Sequence, residues 1–546
     1  NQVPPLTAYD VFAADHVLVE ALDRWGDPVD APDLHALGVQ AGSQEAQLWA
    51  DQADRNPPRL RTHSATGERI DEVEFHPAWH ELLTVAVGAG LTAEPWIRPP
   101  GSGAHLRRAI GFMVWSQTEA GHGCPVSMTY AAGPALQRNP ALAAVWVDRL
   151  ASRAYDPGLR PVSSKAGALA GMGMTEKQGG SDVRANTTRA IASPSGPVPG
   201  DAYRLTGHKW FTSAPMNDVF LVLAQTEAGP TCFAVPRVLD DGTHNPFALQ
   251  RLKDKLGNRS NASSEVEFDG TWGSRLGDEG RGVRAIIDMV SATRLDCVLG
   301  SAATMRQALV RAVHHARHRH VFGRLLVDQP LMGGVLADLA LESEAASVLA
   351  TRLAHAVDEG DTAFSRLAVA VGKFWVCKRT VPIVAEALEC LGGNGYVEEN
   401  VLARLYREAP LNSIWEGSGN VNALDVVRAV TREPQSVEAF AKEVTLARGL
   451  DRRLDDAMDA ILTRIEHLAT SDPELVEFGA RRLVEDLALV LQASLVVRYS
   501  PAPIGEAFLA SRLNGEHGRT FGTLGTDLAG AAHTLVDRAY AGGSTP

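Results

Sequence analysis

The sequence predicts an α+β protein in which one β-rich segment lies between helical segments. Apolar residues recur every three or four positions up to about residue 160, short alternating runs fill residues 171–276, and helical spacing returns after residue 282. The 546 residues correspond to three or four domains, at about 150 residues each. We expect helical domains at 1–170, 282–432 and 433–546, and a β domain at 171–281.

The helical segments are marked by periodic apolar residues and by proline-rich breaks. In the first segment Leu82, Leu83, Val85 and Val87 share one helical spacing, and breaks fall at residues 56–58 and 99–101. Long helices are predicted over residues 283–319 and 330–357. The last segment has helical spacing to about residue 500, becomes rich in glycine and proline, and is net acidic.

The β segment is recognised by three short apolar runs, FLVL at 220–223, TCFAV at 231–235 and SEVEF at 264–268. Glycine, proline, aspartate and asparagine bound these runs, as is typical of strands joined by turns.

Composition excludes several classes of protein. A hydrophobic content of 45%, a charged content of 21% and five scattered cysteines fit an ordinary globular protein with reduced thiols better than a disulfide scaffold or a zinc site. The net charge of −13 argues against capture of nucleic acid by the molecule as a whole. No apolar stretch approaches the ~18 residues of a membrane span, and no export signal begins the chain, so we expect a cytoplasmic protein.

Common catalytic signatures are absent. The GMGM run at 171–174 lacks the third glycine of a dinucleotide fingerprint, and there is no Walker loop, HExxH helix or nucleophile elbow. His314 and His318 have metal-ligand spacing, but Arg311, Arg317 and Arg319 would repel a cation there. We therefore expect no metal, and the arginines suit an anion instead.

Two polar segments of the β domain could hold a flat, anionic cofactor. In MTEKQGGSD at 174–182, paired glycines let backbone N–H groups converge, and Thr175 and Ser181 add hydroxyl donors. In GHKWFTS at 207–213, Trp210 offers a ring face directly before Thr212 and Ser213. A plain glycine turn and a core tryptophan explain the same residues, and both alternatives stay open.

Glu416 is the candidate general base. It follows Trp415 in a loop of small residues between helical runs, and removal of water from a carboxylate there would raise its affinity for protons. A glutamate that caps a helix is the alternative.

Five ordered motifs together resemble the acyl-CoA dehydrogenase family. They are MTEKQGGSD at 174–182, KWFTS at 209–213, KLGNRS at 255–260, RHVFG at 319–323 and LGGNGY at 391–396. Within this family the chain resembles the AidB-type branch, which is linked to alkylation damage. This resemblance lies in the sequences of residues 171–182, 251–263 and 412–420, in the extended N-terminus and in the extra tail. The resemblance implies an N-terminal helical domain, a middle β-barrel-like domain and a four-helix bundle, followed here by an additional helical domain.

The resemblance also implies FAD and the residues that hold it. Thr175 would meet the pyrimidine end of the isoalloxazine ring, Ser181 the pyrophosphate, Trp210 the ring face and Thr212 the reactive nitrogen. A neighbouring subunit of a dimer, or of a dimer of dimers, would contribute Arg319, Phe322 and Gln329. The full implied set is Met174, Thr175, Gly180, Ser181, Trp210, Thr212, Ser213, Arg319, Phe322, Gln329, Glu389, Gly392, Gly393, Ser418 and Asn420.

The chemistry implied is α,β-dehydrogenation of an acyl-CoA thioester. Glu416 would abstract the α-proton, Arg294 would support this base, and the backbone N–H of Glu416 would help to polarise the thioester carbonyl. Electrons would pass to an electron-transfer flavoprotein.

Two other functions stay open at the level of sequence. One is a DNA-associated flavoprotein that shields or detoxifies alkylated DNA, for which Arg448, Arg452, Arg453, Arg481, Arg482 and Arg498 of the tail could form a basic stripe. Pairing with Asp455, Asp456 and Glu485 is the alternative for these arginines. The other is the same flavoprotein acting on a carrier-bound acyl group, an amine or a nitro compound.

Overall fold

The computed structural model describes residues 1–193, 202–468 and 470–540. Residues 194–201 of the expected β domain and residues 469 and 541–546 of the expected tail domain lie outside this description. The chain forms two compact units, each assembled from separate segments. The first unit comprises residues 1–44, 100–118 and 294–546, and the second comprises 45–99 and 119–293.

The helices up to the β segment, in chain order, are α1 (His16–Trp25), α2 (Ala31–Ala41), α3 (Gln44–Arg55), α4 (Pro77–Gly88), α5 (Ala104–Ser116), α6 (Gly123–Gln137) and α7 (Pro140–Leu150). Those that follow it are α8 (Gly282–His318), α9 (Pro330–Asp358), α10 (Thr362–Cys390), α11 (Gly393–Tyr396), α12 (Val401–Glu408), α13 (Gly419–Arg432), α14 (Pro434–Thr445), α15 (Arg452–Leu468), α16 (Pro473–Phe478), α17 (Ala480–Tyr499), α18 (Ala502–Phe508) and α19 (Ala532–Arg538). The strands are β1 (Arg59–His63), β2 (Arg69–Glu74), β3 (Ala170–Gly173), β4 (Arg189–Ala192), β5 (Ala202–Ser213), β6 (Val219–Thr226), β7 (Gly229–Pro236), β8 (Phe247–Leu252), β9 (Ser263–Leu276), β10 (His320–Val321) and β11 (Arg324–Leu325).

The second unit is built on a seven-stranded sheet that closes on itself. Its strand order is β3-β6-β4-β5-β9-β7, β8 pairs with β9, and β7 pairs back onto β6. The neighbours β5 and β9 are long antiparallel partners, and β3 runs parallel to β6. Closure leaves fewer open edges, which is how an antiparallel sheet becomes barrel-like.

Strand β6 shows why an unbroken apolar run forms a strand here. Successive side chains of a strand point to opposite faces. Phe220 and Val222 accordingly enter the core inside the closed sheet. Leu221 and Leu223 enter a second core together with residues of α6 and α7. Both faces of β6 are therefore buried, which explains why apolar and polar residues do not alternate along this strand.

A hairpin of β1 and β2 interrupts the N-terminal segment, which we expected to be mostly helical. Its strands, RLRTH and RIDEVE, are rich in charge, so their apolar pattern is weak. Tertiary contacts hold them in place: Val73 is buried in the core inside the sheet, and Arg69 donates to the Leu249 carbonyl oxygen at 3.1 Å. The hairpin therefore depends on the sheet beside it more than on its own sequence.

The first unit is helical and is organised around the long helices α9 and α10. Helices α13, α14 and α17 pack against α10, and α5, α17 and α19 pack against α9. The tail thus contributes to the core of this unit, and short helices α18 and α19 lie within the stretch that is rich in glycine and proline. Among the described helices, none has the length and apolar character that a bilayer crossing requires.

The helical, β, helical order predicted from sequence is confirmed, including long helices within a few residues of the predicted 283–319 and 330–357. The four domain boundaries stay a prediction, because each compact unit draws on residues of more than one expected domain.

Candidate functional site

The second unit brings together the two polar segments singled out in the β domain. Residues 174–182 follow β3, and the Trp210 N–H on β5 donates to the Thr175 carbonyl oxygen at 2.9 Å. Met174 and Thr175 are half-buried, whereas Gly180 and Ser181 are exposed. A side chain at Gly180 would clash with the Thr175 hydroxyl, which its added carbon would meet at 2.5 Å. Glycine at 180 therefore keeps the Thr175 hydroxyl accessible.

A buried ion pair joins the same segments. The Lys209 Nζ donates to Glu176 Oε1 at 2.8 Å, and both side chains are fully buried. Burial raises the pKa of Glu176, but hydrogen bonds from Lys209, Thr187 and Thr188 more than offset this and lower the pKa to about 2. Burial lowers the pKa of Lys209 to about 8, although Glu176 opposes that change. Sequence reasoning missed this pair, although a charged residue in each of two motifs was a signal for it.

Thr212 carries a buried hydroxyl for which the described residues provide no partner. The pairing of β5 with β9 is irregular between Lys209 and Thr212, and this bulge re-aims the following side chains. Within the described part of the chain the Thr212 Oγ1 makes no hydrogen bond. An unsatisfied buried hydroxyl costs about 1–3 kcal/mol, so a ligand atom is a natural partner for it. The neighbouring Ser213 hydroxyl bonds the Ser263 hydroxyl at 3.0 Å.

Cations surround the Trp210 ring. The Lys253 Nζ lies 3.6 Å from the ring centroid, and Lys177 and Arg251 lie at 5.5 and 5.7 Å. Positive charge over an indole face is attracted by the ring quadrupole. Trp210 is therefore a half-buried ring in a positive setting, and Phe211 beside it is about half exposed.

In the first unit, the loop that carries Glu416 has an unusual backbone held by cations. Glu416 has φ of 56° and Gly417 has φ of 96°, so both lie in the left-handed region. The Arg294 Nε donates to the Glu416 carbonyl oxygen at 3.0 Å. The Lys373 Nζ donates to the carbonyl oxygens of Trp415, at 2.9 Å, and Gly417. Three consecutive carbonyls are thus bound by two positively charged side chains.

Arg294 is itself fixed by a carboxylate. Its NH1 donates to Asp425 Oδ2 at 2.6 Å, and Arg366 also bonds Asp425. Burial raises the pKa of Asp425, but Arg294 and Arg366 outweigh it, and the pKa is lowered from its usual value. Neither Lys373 nor Asp425 was identified from the sequence. Both lie in helices, where an isolated charge among apolar residues was the available signal.

The remaining predicted residues of this unit lie at helix ends and in turns. Ser418 precedes α13, and the Asn420 Oδ1 accepts a hydrogen bond from the Arg481 Nε of the tail at 2.8 Å. Glu389 is exposed near the end of α10. Gly392 has φ of 59° with open space beside it, and Gly393 begins α11.

Arg319, Phe322 and Gln329 lie around the small hairpin of β10 and β11. The Arg319 NH1 donates to the Asn1 carbonyl oxygen at 2.6 Å, and the Gln329 Nε2 donates to the Val321 carbonyl oxygen at 2.9 Å. Phe322 lies at the hairpin turn with φ of 51°, and its side chain is 97% exposed.

A cavity of about 260 Å³ also lies in the second unit, away from the predicted residues. Four of its polar lining groups pair with one another: Lys165 donates to Asp218 at 2.5 Å, and His80 bonds Tyr155 at 2.8 Å. These groups are satisfied within the chain, and no function is assigned to the cavity.

Comparison with known proteins agrees with this arrangement. Residues 1–157 match the N-terminal domain of the adaptive response protein AidB, residues 171–271 the middle domain of acyl-CoA dehydrogenases, and residues 280–431 their C-terminal domain. The AidB protein of Escherichia coli (strain K12) is 44% identical over 93% of each chain. The chain belongs to the acyl-CoA dehydrogenase family, in its AidB branch.

Other family members support the same assignment. Acyl-CoA dehydrogenase family member 11 of Caenorhabditis elegans is 31% identical over 86% of this chain and 80% of its own. The solved structure of Caenorhabditis elegans ACDH-11 with C11-CoA has a TM-score of 0.82 at 26% identity and covers 98% of this chain and 92% of its own. That of Bd2924 in its apo form has a TM-score of 0.84 at 26% identity, covering 92% and 100%. The resemblance found in the motifs is confirmed, and the protein is an FAD-dependent oxidoreductase of this family.

The residues present fit the flavin. Among the described residues the Thr212 hydroxyl is buried and unpaired and can supply a polar contact, and glycine at 180 leaves access to Thr175. Among the described residues no group of histidine, cysteine and carboxylate side chains has the geometry of a metal site.

Proposed function

We propose that this protein dehydrogenates an acyl-CoA thioester, with FAD as its redox group. The observation that carries the proposal is the cation-bound loop, in which Arg294 and Lys373 hold the backbone on both sides of Glu416. When bound, FAD would supply the acceptor for the hydride that leaves the substrate β-carbon.

Proton removal is the part of the reaction that belongs to this chain. The Glu416 carboxylate takes the α-proton, which is only weakly acidic until the thioester carbonyl is polarised. The Glu416 N–H serves as one donor to that carbonyl. Arg294 bonds the Glu416 carbonyl oxygen and is anchored by Asp425, so it holds the backbone of the residue that carries the base.

The cofactor contacts follow the family pattern. We assign the isoalloxazine edge to Thr175 and Thr212, the ring face to Trp210 and the pyrophosphate to Ser181. Support comes from the contact between Trp210 and Thr175 and from the unpaired Thr212 hydroxyl. Ser418 and Asn420, at the N-terminus of the 14-residue helix α13, suit a phosphate, because unpaired N–H groups and the helix dipole favour an anion there.

Partners are proposed on the same basis. A second copy of the chain would complete the cofactor site through Arg319, Phe322 and Gln329, which fits the 97% exposure of Phe322. An electron-transfer flavoprotein is the proposed acceptor of electrons, and the cytoplasm is the proposed compartment. The acyl-CoA substrate is supported by the similarity to ACDH-11, whose solved structure contains C11-CoA.

The direct test is anaerobic mixing of the flavin-loaded protein with acyl-CoAs of increasing chain length. Loss of the oxidised flavin absorbance near 450 nm with at least one thioester is the expected result. Absorbance that stays unchanged with every thioester, while dithionite still bleaches the flavin, would reject the assignment of substrate and leave FAD binding intact.

A DNA-associated function is the second candidate, because the N-terminal match and the closely similar E. coli protein are both AidB. Five of the six tail arginines pair with carboxylates, which counts against it, whereas Arg481 bonds Asn420. Arg448 pairs with Asp459, Arg452 with Asp456, Arg453 with Asp451 and Glu506, Arg482 with Asp486, and Arg498 with Glu443. Fluorescence anisotropy with duplex DNA tests this function, since phosphate contacts give an affinity that falls steeply with salt. Salt-sensitive binding would support it, and no binding at low ionic strength would exclude it.

A further inference from the structure

Lys373 is a buried cation whose hydrogen bonds go to the loop of the proposed base. It lies on α10 with its side chain 1% exposed. Its ammonium donates to the carbonyl oxygens of Trp415 and Gly417, the residues on either side of Glu416. Burial of an ammonium group is costly unless the charge is paired or hydrogen-bonded. Here both acceptors are backbone carbonyls of the loop that carries Glu416.

The identity of the peptide groups gives these bonds a chemical meaning. The Trp415 carbonyl and the Glu416 N–H are the two ends of one planar, conjugated peptide group. A cation at the carbonyl oxygen draws electron density from the amide nitrogen, and the N–H becomes a stronger donor. The same holds for the next two peptide groups, where Arg294 bonds the Glu416 carbonyl oxygen and Lys373 that of Gly417.

The backbone conformation requires such restraint. Glu416 has a positive φ of 56°, which a residue with a side chain adopts rarely and keeps only when its surroundings hold it. The Asn422 Nδ2 adds a hydrogen bond to the Gly417 carbonyl oxygen at 2.6 Å. Lys373 bonds the backbone on both flanks of Glu416, so it restrains the peptide group that carries the Glu416 N–H.

We propose that Lys373 is a positioning residue that polarises the Trp415–Glu416 peptide group and so strengthens the Glu416 N–H as a donor to the thioester carbonyl. This inference rests on the proposed dehydrogenation. In this proposal Lys373 affects the thioester carbonyl indirectly, through the Trp415–Glu416 peptide group. We therefore expect Lys373 to lower the C=O stretching frequency of the bound thioester even in a variant that cannot remove the proton.

The test measures that carbonyl directly. In the Glu416→Gln background, isotope-edited difference Raman or infrared spectroscopy records the C=O stretch of a bound ¹³C-labelled acyl-CoA. We expect a shift to lower frequency relative to free thioester, most of which is lost on adding Lys373→Met and about half of which is kept with Lys373→Gln, an uncharged donor. The exposed Lys442→Met on α14 is the control for loss of a lysine.

Kinetics of the single variants separate this role from a purely structural one. With Glu416 intact, Lys373→Met should lower kcat at least 10-fold and change KM less than about 3-fold, since the hydrogen bond to the carbonyl becomes stronger as negative charge develops on its oxygen in the transition state. Flavin content close to that of the parent protein establishes that the variant is folded. If Lys373→Met does not retain FAD, Lys373→Gln is judged by the same criteria with a reduction in kcat of at least 3-fold.

The outcomes distinguish two failures. A parent protein that no thioester bleaches overturns the proposed function and this inference with it. A parent protein that is bleached, together with lysine variants that keep both the carbonyl shift and kcat, overturns only the role of Lys373.

Discussion

The Glu176 carboxylate accepts a hydrogen bond from the Lys209 ammonium at 2.8 Å, and neither side chain reaches solvent. The two residues come from separate motifs, one after β3 and one on β5. Glu176 also accepts from the backbone of Thr187 and Thr188. One carboxylate thus fixes the loop of Thr175 against the strand of Trp210, and the geometry of the proposed flavin contacts depends on it.

Removal of one partner of this pair should destabilise the second unit strongly. Lys209→Met leaves a buried carboxylate without its cation, and breaking a buried pair in this way costs about 3–5 kcal/mol. Arg61→Met is the matched control, because Arg61 and Glu74 are both about half exposed, and such surface pairs contribute about 1 kcal/mol or less. Chemical denaturation measures both variants. Equal losses of unfolding free energy would contradict the prediction.

Glu119 should make the stability of the second unit depend on pH. Burial raises the pKa of Glu119, but hydrogen bonds from His122 and Ser260 lower it to about 2, from an ordinary value of 4.5. A carboxyl whose pKa is lower in the folded state stabilises the fold fully above about pH 4.5, and this contribution is lost as the pH falls toward 2. The difference corresponds to roughly 3 kcal/mol.

Glu119→Gln should therefore flatten the decline in unfolding free energy between pH 4.5 and 2, compared with the parent protein. The exposed Glu474→Gln should retain the full decline. Denaturant titrations at several pH values measure this slope, and a slope unchanged in Glu119→Gln would show that the carboxyl titrates normally in the folded protein.

Glu416→Gln should separate cofactor binding from catalysis. Glutamine keeps the size of the side chain but cannot take a proton, and a general base contributes about 10²–10⁴-fold to rate. We expect unchanged FAD content and at least about 100-fold slower bleaching by acyl-CoA in anaerobic stopped-flow traces. Asp425→Asn, which loosens Arg294, should give a smaller decrease. Bleaching at the parent rate would remove Glu416 from the mechanism.

Thr212→Val should weaken the binding of FAD without destabilising the flavin-free protein. The Thr212 hydroxyl is buried and unpaired among the described residues, so valine removes an unsatisfied group from the flavin-free form. We expect equal or higher thermal stability without flavin, and faster loss of FAD in equilibrium dialysis. Thr188→Val is the contrast, because the Thr188 hydroxyl donates to the His208 carbonyl oxygen at 3.0 Å. It should lower stability in both forms.

Phe322→Asp should disrupt the proposed assembly of two copies. The Phe322 ring is 97% exposed at a hairpin turn, so it can stabilise an assembly only when a partner buries it. A charged side chain at this position opposes that burial. Sedimentation velocity should show a smaller assembly with reduced FAD content, whereas Phe322→Tyr should assemble like the parent protein. An aspartate variant that keeps the parent mass would rule out this contact.

Much of the fold follows from local sequence patterns. Helical spacing placed α8 and α9 within a few residues of their observed bounds, and strand-like runs marked β6, β7 and β9. The hairpin of β1 and β2 escaped this reasoning because its strands are charged and gain their stability from Val73 and Arg69 contacts with a distant sheet. Periodicity reports which face of an element is buried, and it carries little information where most side chains are polar.

Residue identity and order along the chain are sufficient to recognise the family and the order of its segments, and to propose Glu416 and Thr212 as site residues. Two contacts are visible only in the three-dimensional structure: Lys373 bonds the backbone around Glu416, and Lys209 pairs with Glu176. The partners in these contacts are 42 and 33 residues apart. A charged side chain in an apolar helix or strand indicates that a partner exists, and only the packed chain shows which one it is.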